Sequence, residues 1–340
     1  MSGQIEQQPN GPMHAREPKP LTARRIIIEI VKYGLIALVV YFAGKQLIEN
    51  WTEVKKYDWT INWPLLVCSV ALHILAFTLF ASTWCILMRA FGHHITIAQG
   101  FKVSYVVNLG RYIPGKVWPI LGQVYMLRKI NVTQEEAITS WGIATILGLP
   151  GAFLAGFIAI GFHPQMLQQT LGDNVGWGPI AAVLVTIGGS FLLALAPQKT
   201  MLPVNFLLKL LGRKPVELKL TMKVIFQVYG GYFVSWVFYG IAFYTFVRSI
   251  VPDAPVPPVA AMGAFVMAYI IGWLALFSPG GIGVRELVLI SVLSPFMGTP
   301  AASGIAVAAR VWNLCAEFIA ALIALSIKLE RSVPGKITPR

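Results

Sequence analysis

Charged residues are scarce in this chain. Asp, Glu, Lys and Arg make up 12% of the 340 residues, while hydrophobic residues make up 56%. Soluble domains carry about 25% charged residues, so the composition argues against a soluble globular protein. Acidic residues are scarcer than basic ones, with 14 Asp and Glu against 27 Lys and Arg, so the formal net charge is +13. In an apolar chain such an excess is typical of cytoplasmic loops beside anionic headgroups. We therefore expect a membrane protein that does not bind nucleic acid.

Cysteine and catalytic motifs are scarce as well. The three Cys residues lie in apolar segments and have no metal-ligand spacing (Cys68, Cys85 and Cys315), which argues against a disulfide framework and a metal site. The sequence has no GK[ST] phosphate loop, zinc-protease helix or nucleophile elbow. No polar stretch between apolar segments is long enough for a soluble catalytic domain. We expect no metal and no cofactor, and any catalysis would have to take place within the membrane.

Long apolar runs dominate the chain instead. Several exceed the roughly 20 residues that a helix needs to cross the hydrocarbon. We predict full membrane spans at 26–48, 64–90, 138–162, 178–197, 222–250 and 299–327. The polar residues 1–22 are typical of a disordered tail. The predicted organisation is this cytoplasmic tail, an integral membrane domain over 23–330 and a second cytoplasmic tail over 331–340.

The distribution of Lys and Arg predicts the topology. Basic residues cluster before the first span, in 198–223 and after the last span, whereas the loops 163–177 and 251–258 have none. The positive-inside rule then places both termini in the cytoplasm of a cell (inner) membrane protein. By parity, regions 97–129 and 258–297 each cross an even number of times. The first is too short for two full spans, so we predict two re-entrant helical hairpins of opposite direction. In the alternative, 258–278 is long enough to span fully and 282–297 is a short return crossing. Such a pair forms the inverted repeat of many transporters.

Each of these two regions is broken near its middle by Pro and Gly. Pro114-Gly115-Lys116 breaks the first region, and Ser278-Pro279-Gly280-Gly281 breaks the second, just before Arg285 and Glu286. A charge at membrane depth costs about 2.5–3.5 kcal/mol on insertion scales, so it faces protein, water or a ligand. A helix that restarts after each break presents unpaired N–H groups and a partial positive charge. These features predict a polar cavity that binds an anion, and a lipid phosphate is the obvious anion there.

The last predicted span adds a polar stripe. Arg310, Asn313 and Glu317 are spaced by three and four residues, so they share one helical face. The candidate lipid- and anion-binding residues are Asn108, Arg111, Pro114, Gly115, Lys116, Pro279, Gly280, Gly281, Gly283, Arg285, Glu286, Arg310, Asn313 and Glu317. The alternative interpretation is structural. In that case the cations pair with Glu286, Glu317 and carbonyls to close the hairpins, and the stripe joins helices through hydrogen bonds.

These motifs resemble the membrane domain of lysylphosphatidylglycerol synthases. The resemblance rests on Ile113-Pro114-Gly115-Lys116, on Ser278 to Glu286 and on Ala309-Arg310, and it extends over about residues 25–328. Many members have an acidic residue shortly after the first Pro-Gly, where the nearest candidate here is Gln123. In the large synthases this domain is associated with flipping aminoacylated phospholipid, and a soluble domain absent here performs the transfer. The resemblance therefore implies a stand-alone member that translocates lipid and does not synthesise it.

Three functions follow from this reading. The favoured one is a flippase for an anionic or phosphate-bearing lipid, either a phospholipid or, as the glycosyltransferase-linked members imply, a polyprenyl-phosphate lipid. The second is an intramembrane transferase, or its accessory subunit, that acts on a polyprenyl-phosphate-linked sugar with Glu286 or Glu317 as the base. The third is a small-solute secondary transporter. A separate lipid-modifying enzyme and an oligomer are partners that the sequence leaves open.

Overall fold

The computed structural model describes residues 59–112, 117–161, 184–186, 188–189, 195, 197–218, 220–275 and 278–329. Within these ranges the chain is helical, as predicted. The helices are α1 (Trp63–Ala90), α2 (Ile97–Asn108), α3 (Trp118–Arg128), α4 (Gln134–Gly161), α5 (Met201–Leu210), α6 (Met222–Ile250), α7 (Pro258–Leu274), α8 (Val284–Met297) and α9 (Thr299–Ser326). Both predicted tails, the loop 163–177, the span 26–48 and most of the span 178–197 lie outside the described residues.

Four described helices are long and apolar enough to cross a membrane. They cover Trp63–Ala90, Gln134–Gly156, Met222–Ile250 and Thr299–Ser326, which match the spans predicted at 64–90, 138–162, 222–250 and 299–327. The protein is therefore a polytopic helical membrane protein. Six as the total number of spans stays a prediction.

The two broken regions each consist of two short helices with a turn between them. Helices α2, α3, α7 and α8 have 12, 11, 17 and 14 residues. At 1.5 Å per residue they are about 16–26 Å long, shorter than the ~30 Å hydrocarbon core. The re-entrant course of these hairpins stays a prediction.

A 3₁₀ turn follows the first short helix in both regions. It covers Leu109–Tyr112 in the first and Pro279–Gly281 in the second. The second turn is tight because Gly280, Gly281 and Gly283 have φ values of 61°, 71° and 79°. These values lie in the left-handed region, which glycine adopts without a Cβ penalty. The run of glycines is what allows the chain to reverse here and begin α8.

The first long helices of the two halves, α1 and α6, pack against each other in opposite directions. The backbone N–H of Asn62, just before α1, donates to the carbonyl of Ser249 at the end of α6 at 2.7 Å. Further along α1, Phe80 meets Trp236, nearer the start of α6, with ring centroids 5.0 Å apart. Residues later in α1 thus contact residues earlier in α6. The two helices are antiparallel along their length.

The order of elements repeats. In the first half, two long helices, α1 and α4, enclose two short ones, α2 and α3, and the break lies between the short helices. In the second half, α6 and α9 are long and α7 and α8 are short, in the same order. The packing repeats too: α4 packs on α6 and α7 as α9 packs on α1 and α2, and the two 3₁₀ turns touch. Exchanging the halves therefore preserves these contacts. A two-fold rotation that exchanged the antiparallel helices α1 and α6 would have its axis perpendicular to both.

Candidate functional site

The fold brings the two 3₁₀ turns together beside α9. The turn Leu109–Tyr112 touches the turn Pro279–Gly281, α2 and α8 both pack on α9, and α7 packs on the second turn. Polar side chains from five segments of the chain consequently meet between otherwise apolar helices. These segments are the first turn, the start of α8, and helices α6, α7 and α9.

Arg111 anchors the turn Leu109–Tyr112 to α9 and α7. Its guanidinium forms an ion pair with the carboxylate of Glu317, and the two side chains are only 12% and 3% exposed. Its Nη1 donates to the hydroxyl of Tyr269 at 2.9 Å and to Oδ1 of Asn108 at 3.4 Å. A buried ion pair is stable only when its remaining polar atoms are also satisfied. These bonds supply partners for the Nη1 and Nη2 atoms of Arg111.

The polar stripe on α9 continues this network. Asn313 Nδ2 donates to Glu317 Oε1 at 2.7 Å, and the hydroxyl of Tyr239 on α6 donates to Asn313 Oδ1 at 3.0 Å. Asn313 and Glu317 are both buried. The stripe therefore faces the protein interior, as its spacing predicts.

Glu286 at the start of α8 makes the second ion pair to α9. Its Oε1 pairs with Arg310 Nη1. Its Oε2 accepts the backbone N–H of Gly283 at 2.7 Å, so the carboxylate also caps the start of α8. Each oxygen of Glu286 thus has a partner, one on α9 and one at the start of α8.

Arg285 has a different environment. Its guanidinium lies over the ring of Tyr269, 4.0 Å from the centroid. Two glycines make room for its stem: a Cβ on Gly272 would lie 2.5 Å from Arg285 Cγ, and a Cβ on Gly281 would lie 2.9 Å from its Nε. Among the described ion pairs none involves Arg285.

The charges of this cluster do not cancel. Three arginines, Arg111, Arg285 and Arg310, face two carboxylates, Glu286 and Glu317, and each carboxylate is paired with an arginine other than Arg285. Within the described residues the cluster carries one excess positive charge, located on Arg285. Such a charge is costly inside a membrane protein unless water or an anion approaches it.

A narrow cleft leads to Arg285. It is lined by Phe265, Ala268, Tyr269, Gly280, Arg285, Glu286, Leu289, Ala306, Ala309, Arg310 and Asn313. Its empty volume is about 440 Å³, but only about 30 Å³ can hold the centre of a water molecule. That space suits one or two waters and is too small for a lipid headgroup. Arg111 and Glu317 are not part of its lining, so their ion pair lies behind the cleft.

Comparison with protein-family models matches residues 29–323 to the lysylphosphatidylglycerol synthase TM region. The chain belongs to this family. The matched residues include both breaks and the α9 stripe, so the resemblance inferred from the motifs is confirmed. A search of curated proteins found no match.

For this lysylphosphatidylglycerol synthase-like protein, the structure brings most of the predicted site residues together. The residues that it places where the two 3₁₀ turns meet are Asn108, Arg111, Pro279, Gly280, Gly281, Gly283, Arg285, Glu286, Arg310, Asn313 and Glu317. Pro114, Gly115 and Lys116 lie outside the described residues. The alternative interpretation holds that these charges only pair with one another to close the hairpins. Glu286 and Glu317 do pair with arginines, but this interpretation does not explain why Arg285 is present.

Gln123 takes no part in the cluster. It is buried on α3 and donates from Nε2 to Ser140 Oγ at 3.0 Å, which joins α3 to α4. Gln123, the nearest candidate for the acidic position that the resemblance implies, is here an amide that bonds neighbouring helices. The described residues also contain no group of three His, Cys, Asp or Glu side chains that could hold a metal.

Sequence reasoning missed three residues of the site. Tyr269 accepts a bond from Arg111 and supports Arg285, Tyr239 orients Asn313, and Gly272 makes room for Arg285. Tyr269 and Gly272 are spaced i, i+3 in a stretch without Asp, Glu, Lys, Arg or His. A polar residue and a small residue on the same face of an apolar helix could have indicated that this face contacts the site.

Proposed function

We propose that this protein binds a phosphate-bearing lipid through Arg285 and moves it between the leaflets of a cytoplasmic membrane. The single observation that carries the proposal is the excess positive charge in the cleft. An unpaired guanidinium is expensive at membrane depth, and a phosphate would offset that cost. Guanidinium also binds phosphate through two parallel hydrogen bonds, which a Lys ammonium cannot reproduce.

The cleft must widen before a headgroup can enter. Its water-accessible space is about 30 Å³, whereas ligand pockets measure roughly 300–1,000 Å³. The hairpins touch each other and are fixed to α9 by two ion pairs. We propose that transport involves separation of a hairpin from α9, which opens the cleft to one leaflet.

The repeat supports this mechanism. If α1 and α6 cross the membrane, the two-fold axis perpendicular to them lies near the membrane plane. The halves then form an inverted repeat with the cleft at their interface, which is the arrangement of many alternating-access transporters. Six spans, two re-entrant hairpins and cytoplasmic termini complete the proposed topology.

The topology is testable with single-cysteine labelling. Probes at Gln168 and at the exposed Lys214 should react from opposite sides of the membrane. The background should lack Cys68, Cys85 and Cys315, since Cys68 and Cys315 are exposed. Labelling of both probes from one side would contradict the proposed hairpins.

The function is testable with Arg285 variants in proteoliposomes. Arg285→Ala should nearly abolish transfer of a labelled phospholipid and Arg285→Lys should weaken it, while thermal melting shows that both remain folded. Arg213→Ala is a suitable control, because Arg213 makes only an exposed ion pair with Glu135 at 3.4 Å, and it should transfer lipid normally. Normal transfer by Arg285→Ala would reject the proposal.

A second measurement separates the flippase from the other two functions. Mass spectrometry of the gently purified protein should find a phosphate-bearing lipid bound. A labelled lipid that is chemically converted in detergent would instead support the transferase. A protein that retains no lipid but exchanges a soluble solute across vesicles would support the small-solute transporter.

A further inference from the structure

We propose that a groove on the surface of α3 is a second lipid site, which holds an anionic phospholipid before that lipid reaches the cleft. This α3 groove is lined by Leu121, Val124, Tyr125, Arg128 and Lys129. The acyl chain lies along the apolar residues, and the phosphate contacts the two cations. The inference rests on the proposed lipid transport and adds the site where the lipid is loaded.

The α3 groove has the size of a ligand site, unlike the cleft. About 370 Å³ of it can hold the centre of a water molecule, against about 30 Å³ in the cleft. Ligand pockets measure roughly 300–1,000 Å³. The lining residues are spaced i, i+3, i+4, i+7 and i+8, so they form one face of the helix. Leu121 and Tyr125 are 54% and 64% exposed, so a lipid can reach this face without separation of the hairpin from α9.

Other faces of α3 pack against the protein and fix its orientation. Gln123 is buried and donates to Ser140 Oγ on α4 at 3.0 Å. A Cβ on Gly122 would lie 3.7 Å from Cγ2 of Val107 on α2. Because α2 and α4 hold these faces, the groove points away from the helices that hold α3. An apolar face in that position of a membrane protein contacts lipid.

Helix α3 has about the depth of one leaflet. Its 11 residues span about 16 Å, roughly half of the ~30 Å hydrocarbon core. The proposed topology places the basic end of α3 at the cytoplasmic surface, so its first residues lie near the middle of the membrane. There α3 packs on the turn Leu109–Tyr112, and a Cβ on Gly110 would lie 3.2 Å from the backbone nitrogen of Pro119. The groove therefore runs from headgroup level toward the turns beside the cleft.

The charge at the end of the α3 groove is unbalanced. None of the described ion pairs involves Arg128 or Lys129. Glu135 and Glu136, the next carboxylates along the chain, pair with other residues. Lys129 Nζ lies 4.3 Å from the centroid of the Tyr125 ring, so its ammonium is held over the groove. Two cations beside an apolar stripe complement the phosphate and the acyl chain of an anionic phospholipid.

Native mass spectrometry measures this binding without transport. The purified protein is exposed to equal amounts of phosphatidylglycerol and phosphatidylcholine, and the ratio of the two bound lipids is determined. Wild type should prefer phosphatidylglycerol, and Arg128→Gln/Lys129→Gln should lower the ratio about tenfold, the effect of two unit charges near the surface. Lys209→Gln/Lys214→Gln is the matched control, because it also removes two exposed cations, and it should keep the wild-type ratio. No preference in wild type, an unchanged ratio in Arg128→Gln/Lys129→Gln, or equal losses in both double variants would overturn the site.

Three further arms identify what the groove binds. The exchange Arg128→Lys/Lys129→Arg keeps both charges and should keep the ratio; loss of the preference would show that charge is not the determinant and would overturn the site. Inorganic phosphate and glycerophosphoglycerol should not displace the bound lipid, and displacement by either would reject the need for an acyl chain. A disulfide between copies through Tyr125→Cys, in a background without Cys68, Cys85 and Cys315, would show that this face is an interface between copies and would also overturn the lipid site.

Transport measurements separate the α3 groove from the cleft. In proteoliposomes, Arg128→Gln/Lys129→Gln should raise the mole fraction of labelled phosphatidylglycerol that gives half-maximal transfer and leave the maximal rate unchanged. Arg285→Ala should lower the maximal rate and keep the preference for bound phosphatidylglycerol. Lost binding with unchanged transfer at low mole fraction would reject the loading role. Failure of wild type to transfer lipid, or normal transfer by Arg285→Ala, would reject the proposed function, whereas the binding ratios would still decide whether the α3 groove holds lipid.

Discussion

Breaking the ion pair between Arg111 and Glu317 should cost far more stability than breaking an exposed one. Arg111→Gln leaves Glu317, whose side chain is 3% exposed, without its cation, and Glu317→Gln leaves Arg111, whose side chain is 12% exposed. An uncompensated charge at such a buried site costs about 3–5 kcal/mol. Each single variant should therefore lose that amount of unfolding free energy.

The double variant should recover part of the loss. With both charges gone, neither position 111 nor position 317 carries a buried charge, and the amide at position 317 can still accept from Asn313, which donates to Glu317 at 2.7 Å in the native protein. The coupling energy in a double-mutant cycle should reach about 2 kcal/mol or more. Unfolding by denaturant in one detergent, at one lipid content, measures all four proteins of the cycle.

A matched cycle on Arg213 and Glu135 provides the control. This pair has side chains 47% and 27% exposed, with 3.4 Å between nitrogen and oxygen. Exposed pairs couple by only about 0.2–1 kcal/mol. Similar coupling in the two cycles would show that the Arg111–Glu317 pair is solvated. A further loss when Glu317→Gln is added to Arg111→Gln would refute the pairing itself.

Two further predictions concern close approaches at glycine. Gly272→Ala places a Cβ 2.5 Å from Arg285 Cγ, so it should slow lipid transfer by displacing Arg285 while melting changes little; unaltered transfer would show that the position of this stem is unimportant. Gly231→Ala places a Cβ 2.4 Å from Thr83 Oγ1 between α6 and α1, whereas a Cβ on Gly230 meets nothing within 4 Å. Gly231→Ala should therefore lower the melting temperature and Gly230→Ala should raise it or leave it unchanged, since Ala is about 1 kcal/mol more favourable than Gly in a helix; equal effects would contradict the close packing.

Local pattern was sufficient to predict the described helices and the second break. Length and apolarity identified the four described spans, because a membrane helix must satisfy its backbone internally over its whole length. The glycines of the second break predicted a tight turn, and Gly280 indeed has φ 61°. The stripe of Arg310, Asn313 and Glu317 was predictable because i, i+3 and i+4 positions share a helical face.

The partner of each charge was not predictable in this way. Arg285 and Glu286 are adjacent in sequence, but consecutive helical residues point about 100° apart, so Glu286 reaches Arg310 while Arg285 reaches Tyr269. Pairing depends on which helices the fold places side by side. Tyr269 was missed for the same reason, since its neighbours come from two turns that are remote in sequence.

The repeat is symmetric in its helices but not in its chemistry. Counted from the first residue of each helix, the α9 positions Arg310, Asn313 and Glu317 correspond to Thr145, Gly148 and Ala152 on α4. Two halves of equal chemistry would give inward-open and outward-open states of equal energy. Among the described residues, α9 carries the charged partners of both Arg111 and Glu286. If the protein works by the alternating access proposed above, opening toward one leaflet and opening toward the other would disrupt different ion pairs. We would then expect an intrinsic preference for one facing, independent of any gradient across the membrane.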